Sequence, residues 1–186
     1  METSLTWLGR LTGSPAEGDW KQLLDVYGPL LAGWLARSGV PAADRDDLIQ
    51  EVLLVVVRRV SEFDRRGPGA FRAWLRQITV HRLRVYWDRR PAGDAAPEAL
   101  TELTDSSSPL SRSWDEEHDR HVVKSLLESL RLKFEPATWR AFERQVQDGA
   151  PAAEVAAELG LSVNAVLIAK SRVLQRLREE GRGLLE

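Results

Sequence analysis

AAEVAAELGLSVNAVLIAKSRVLQRLR, residues 152–178, carries two apolar stripes at helical spacing on either side of a Gly-Leu-Ser break. Val155, Ala156 and Leu159 recur on one face of a short first helix. Gly160 supplies a left-handed turn residue, and Ser162 is a good N-cap for a second helix. Val166, Ala169, Val173, Leu174 and Leu177 then form the buried stripe of that second helix. The pair has the proportions of a helix-turn-helix, against the plainer reading of an ordinary helical hairpin. Asn164, Leu167, Ile168, Ser171, Arg172 and Gln175 are left on or near its outward side. Lys170, Arg172, Arg176 and Arg178 meet no acid before Glu179, whereas a merely solvated helix mixes both signs.

Helical spacing continues upstream. It runs through WDEEHDRHVVKSLLESLRLKF (114–134) and PATWRAFERQVQDG (136–149), where Pro136 suits a first turn and Gly149 follows the end. Residues 91–113, PAGDAAPEALTELTDSSSPLSRS, offer few groups able to build a core and read as a linker. Before it, AFRAWLRQITVHRLRVYWDRR (70–90) places Phe71, Trp74, Leu75, Ile78, Leu83 and Tyr86 on an inward stripe, its arginines facing outward. RRGPG (65–69) is a loop, because Pro68 between two glycines cannot continue a regular element.

In SGVPAADRDDLIQEVLLVVVRRVSEF (38–63), Asp44 is the expected N-cap. The run LLVVV is β-branched and would suit a strand. Acids at the start and Arg58 and Arg59 at the end favour a helix. WKQLLDVYGPLLAGWLAR (20–37) is helical too, bent or divided at Gly28 and Pro29. The expected fold is all-α: two small helical domains, residues 1–90 and 116–186, joined by a flexible acidic linker at 91–115, the second domain containing the helix-turn-helix.

The chain has 186 residues, 43% of them hydrophobic, enough to bury a core. It has no cysteine, which removes disulfides, thiol nucleophiles and thiolate metal sites. No run approaches the roughly 18 apolar residues of a membrane helix, and METSLTWLGRLTG lacks a cationic segment before an apolar core. No membrane insertion and a cytoplasmic location are therefore expected. The net charge of −2 hides an uneven distribution. Residues 65–90 hold eight arginines against one acid, net +7, and residues 91–120 hold eight acids against two arginines, net −6. Residues 161–178 hold four cations and no acid. Two basic blocks flanking an acidic one suit a phosphate-bearing partner, and the acidic tether is expected to cover a basic face in the free protein through Asp94, Glu98, Glu102 and Asp105.

DRDDLIQEVLL (44–54) followed by FDRRGPGAFRAWLRQITVHRLRVYWDRR (63–90) resembles the conserved core of extracytoplasmic-function sigma factors of bacterial RNA polymerase, and the helix-turn-helix resembles their second domain. The resemblance covers roughly residues 20–90 and 117–180. It implies a factor that binds core RNA polymerase and promoter DNA, with an anti-sigma factor as a further partner of the class. On this resemblance Asp47, Gln50 and Glu51 meet the polymerase clamp. The loop at 64–70 captures a base flipped from the minus-ten element, and Arg65, Arg66, Arg72, Arg76, Arg82, Arg84, Arg89 and Arg90 contact phosphates. Trp87 and Tyr86 are candidates to stack unpaired bases, while the phase of Trp74 makes it core. Ser162, Asn164, Leu167, Ile168, Lys170, Ser171, Arg172, Gln175 and Arg176 face the minus-thirty-five element.

The chain departs from the family pattern at Leu53, Val55 and Val57, where relatives often carry an aromatic, a basic residue and tryptophan. It departs again at His81 and Val85, in place of Asn and Asp, and at Leu167 and Ile168, where polar base readers are expected.

No glycine-rich phosphate loop, GxSxG elbow or HExxH pair is present, so no catalysis and no cofactor are expected. His118 and His121 beside Glu116 and Glu117 lack a closed ligand set, and no metal is expected. Two other readings compete: a dimeric helix-turn-helix regulator binding an operator, which leaves the first basic block unexplained, and a helical module that sequesters a sigma factor.

Overall fold

The computed structural model describes residues 7–63, 67, 69–90 and 98–185. Every element among them is helical. In chain order these are α1 (Trp7–Thr12), α2 (Glu17–Arg37), α3 (Ala42–Arg59), a 3-10 turn (Val60–Glu62), α4 (Ala70–Asp88), α5 (Ala99–Glu102), α6 (Pro109–Arg131), α7 (Pro136–Val146), α8 (Ala152–Leu159) and α9 (Val163–Gly181). Contacts divide the chain into two compact units: residues up to Val122 together with Arg182–Glu186, and Val123–Gly181.

In the first unit, α2 runs unbroken through Pro29, which removes only one backbone hydrogen bond. Its buried stripe of Leu23, Val26, Tyr27, Leu30, Leu31, Trp34 and Leu35 packs beside α3, whose own stripe is Leu48, Ile49, Val52, Leu53 and Val56. Helix wins over strand in the LLVVV run because the 3.6-residue repeat buries Val52, Leu53 and Val56 while Leu54 and Val57 stay exposed. The expected cap moves: α3 begins at Ala42 with Pro41 before it, and Asp44 sits in the first turn, where Tyr86 and Arg90 reach it. α4 follows Gly69, whose φ of 71° belongs to glycine.

The expected linker differs most from what is built. Residues 98–115 contain α5 and the start of α6, with Leu100, Leu103, Ser111 and Trp114 buried; residues 91–97 lie outside the described part. The division between the units falls inside α6 rather than across 91–115. Composition understated this segment because its few apolar groups are well phased. Trp114, His118 and Val122 recur every four residues, and all three are buried. Trp114 lies against Trp34 with ring centroids 4.8 Å apart.

In the second unit, Trp139 and Phe142 of α7 pack with Leu130 and Val173. Ala141, Val155, Ala156, Val166 and Ala169 form a second cluster. The residues assigned to the core of the helix pair therefore occupy it. Gly160 takes φ of 65°, Ser162 accepts the Ala165 N–H at 3.1 Å, and α8 and α9 meet at 106°.

Candidate nucleic-acid interfaces

Along the outer face of α3, Asp47, Gln50 and Leu54 are exposed, Leu54 by 51%. Glu51 is half-buried, with its carboxylate 3.9 Å from the Arg82 guanidinium. Leu54 stands one turn after Gln50, so this acidic face carries an apolar centre that motif matching passed over. Its spacing of four from Gln50 is the signal that could have found it.

The arginines of α4 have unequal fates. Arg76, read as a phosphate contact, is only 5% exposed: its guanidinium holds the Asp115 carboxylate at 2.5 Å and the Ser111 carbonyl at 3.4 Å. Arg72 pairs with Asp119 at 2.6 Å and Asp115 at 3.6 Å. Both were expected to face outward because α4 reads as one basic face; the first half of α6 lies along that face and turns two cations inward. Arg90 pairs with Asp44 and lies over Tyr86 and Trp87, its guanidinium 4.6 and 5.5 Å from the ring centroids. Those two faces, the expected stacking platforms, are thus already occupied by a cation. Arg84 and Arg89 remain exposed, while Arg65 and Arg66 lie outside the described residues. Acids of the tether were expected to cover a basic face. Asp94 lies outside the described residues; among those described, Asp115 and Asp119, further along the chain, pair with arginines of α4, while Asp105 accepts from Ser107, which lowers its pKa.

A groove lies between the C-terminal end of α3 and the middle of α4, lined by Val55, Arg58, Arg59, Trp74, Gln77, Ile78, His81 and Arg82. Trp74, expected in the core, is half-buried. Its ring meets Phe63 at 5.0 Å and Phe71 at 5.6 Å and also forms part of the groove wall. The Arg82 Nε is buried with no hydrogen-bond partner among the described residues. Trp74, Gln77, Ile78, His81 and Arg82 are spaced three, four, seven and eight residues along one helix, so this wall was legible in the sequence. Reading Trp74 as core hid it. The two cations from α3, Arg58 and Arg59, join it only through packing.

Behind the ion pairs sits a buried histidine. The Asp119 carboxylate can only accept, so the proton of neutral His118 is on Nδ1, donated at 3.0 Å, and Nε2 accepts from the Tyr27 hydroxyl at 3.3 Å. Burial lowers the His118 pKa despite the pull of Asp119 and Asp115, and Arg72 lowers it further. Burial also pushes Asp119 upward, but the His118 hydrogen bond and the Arg72 charge prevail and hold it below the ordinary carboxylate value. Because folded His118 resists protonation, the unfolded chain takes up more protons below its ordinary pKa of 6.5. Stability is therefore full above that pH and falls as pH drops from 6.5 toward the lowered value; loss of the Asp119 contribution belongs to a separate window below 3.8. Urea midpoints between pH 7.5 and 5.5 are expected to fall for the native chain and to flatten in His118→Gln. An equal slope in both proteins would remove His118 from this account.

In the second unit, Asn164, Leu167, Ile168, Ser171, Arg172 and Gln175 are exposed on α9. Ser162 is exposed as well, while Lys170 and Arg176 are half-buried. Arg176 pairs with Glu179 and Glu180, and Gln175 donates to Glu179. Lys170, Arg172 and Arg178 have no acid within ion-pair distance among the described residues.

The geometry thus offers a basic, aromatic-walled groove in one unit and an exposed helix-turn-helix face in the other. The family model for Sigma-70 region 2 matches residues 23–91, which span α2 from its second turn through α3 and α4. No curated protein matches the chain. The match contains the acidic face of α3 and the groove wall of α4, and this part of the chain is similar to Sigma-70 region 2.

Proposed function

We propose that this chain is a sigma factor of the compact extracytoplasmic-function type, which binds core RNA polymerase, directs it to specific promoters and assists melting of the minus-ten region. The region 2 match supports the coarse role, promoter recognition and melting by a non-enzymatic initiation factor. The finer reading rests on one observation above all: a second unit whose two last helices meet at 106°, within the roughly 90–120° of a DNA-binding helix-turn-helix. In this reading Asp47, Gln50, Glu51 and Leu54 dock on the polymerase. The groove of Trp74, Arg58, Arg59 and Arg82 receives the opened minus-ten strand, with Arg84 and Arg89 on its phosphates, and α9 enters the major groove at minus thirty-five. The protein acts in the cytoplasm, where polymerase is; no single helix among the described residues is long and apolar enough to cross a membrane.

Pull-down of core RNA polymerase by the full chain, followed by run-off transcription, tests this directly. A sigma factor forms a holoenzyme and starts transcripts at discrete sites, whereas a conventional dimeric regulator needs no tight complex with polymerase. Asp47→Ala combined with Leu54→Ala changes only exposed side chains and is expected to weaken core binding about tenfold, as loss of interface anchors does. Unchanged affinity would move the docking face elsewhere.

A further inference from the structure

The outward positions at the start of a recognition helix are those that reach base edges. On α9 they are Val163, Asn164, Leu167, Ile168 and Ser171, spaced one, four, five and eight residues along the helix. Three of the five are large and apolar, and none packs away: Val163 is 46% exposed, Leu167 49% and Ile168 42%. The buried stripe of the same helix is complete without them, being formed by Val166, Ala169 and Val173. Such a patch suggests an occupant, and the charges beside it say of which kind. From Val163 to Arg178 the helix carries no acid, and Lys170, Arg172 and Arg178 stand without an acidic partner among the described residues. A polyanion with apolar groups on its surface meets both requirements, and in duplex DNA the apolar groups of the major groove are the C5-methyl groups of thymine.

We propose that α9 reads DNA chiefly through methyl groups, Leu167 and Ile168 packing on thymine methyls in the major groove. Asn164 supplies the polar contact, its amide suited to the N6 and N7 edge of an adenine. Cations on either side hold the phosphates. The ligand is therefore a duplex element carrying thymines at neighbouring steps, and its discrimination comes from shape and apolar contact rather than from arginine on guanine. This inference rests on the helix-turn-helix reading above and deepens it by naming what the helix recognises.

The test uses holoenzyme reconstituted from the full chain and core RNA polymerase. A promoter duplex library randomised upstream of the start is selected for binding, and the enriched upstream element is then resynthesised with deoxyuridine replacing each thymine in turn, which deletes one methyl and nothing else. At two thymines the replacement is expected to weaken binding about fourfold each, the effect of exposing one methyl-sized group to water. Leu167→Ala should weaken binding to the thymine duplex and abolish the discrimination at one of those positions, and Ile168→Ala should do so at the other, a coupling that a remote structural effect would not produce. Both side chains are exposed, so neither substitution removes core.

An enriched element indifferent to deoxyuridine overturns the methyl reading while leaving the sigma-factor reading intact. Failure to form holoenzyme, or to enrich any upstream element, overturns the parent reading and this one with it. Variants that lose core polymerase while keeping full thymine discrimination would mark the patch as a protein-docking surface, also against the proposal.

Discussion

Asp115→Ala is expected to destabilise the first unit by about 3 kcal/mol, the cost of leaving a buried charge without its partner. Arg76 is 5% exposed, and among the described residues it keeps only the Ser111 carbonyl, at 3.4 Å, once Asp115 is removed. Arg72, 3.6 Å from the same carboxylate, retains Asp119. Removing the cation is a milder change than removing the acid, since Asp115 is 29% exposed at its side chain and can hydrate once freed. Arg76→Met, which keeps the aliphatic stem, should cost about 1 kcal/mol, and Arg76→Met with Asp115→Ala little more, because no buried charge is stranded. In thermal melts the single acid variant should fall by roughly 10 °C. If the double variant were as unstable as Asp115→Ala alone, the ion pair would not be the cause.

Trp74→Ala should reduce formation of the open promoter complex by about 10- to 100-fold, the range of one lost base-stacking platform. Its ring is positioned by Phe63 and Phe71 and helps wall a groove whose cations are Arg58, Arg59 and Arg82. Tyr86 and Trp87 are weaker candidates, since Arg90 lies over both rings. The measurement is permanganate reactivity of minus-ten thymines with holoenzyme. Trp74→Phe should retain most of the opening, because a smaller ring still offers a π face. Circular dichroism separates this effect from loss of the neighbouring aromatic packing. Full reactivity with the folded alanine variant would take Trp74 out of the strand path.

The helical class, the helix-turn-helix and the acidic face of α3 were legible in the chain, because each rests on spacing within one element. A 3.6-residue repeat placed Val166, Ala169 and Val173 inside, and the glycine and serine of the turn took the expected φ and capping bond. Phase could not say which helix covers which face. Arg72 and Arg76 read as outward cations of α4 until α6 brings Asp115 and Asp119, some forty residues later, against them. The same is true of the segment before α6, where a polar composition concealed Leu100 and Leu103, both buried, and where α5 packs on α4.

What the amino-acid order determined alone is the local menu: which segments are helices, which stripe of each is apolar, and where the turns fall. Tertiary structure decided which charges reach solvent and which rings stay uncovered. The physical reason is range. Helical periodicity and capping act within about a turn or two, whereas the burial of a guanidinium and the pairing that makes it tolerable depend on carboxylates remote in sequence.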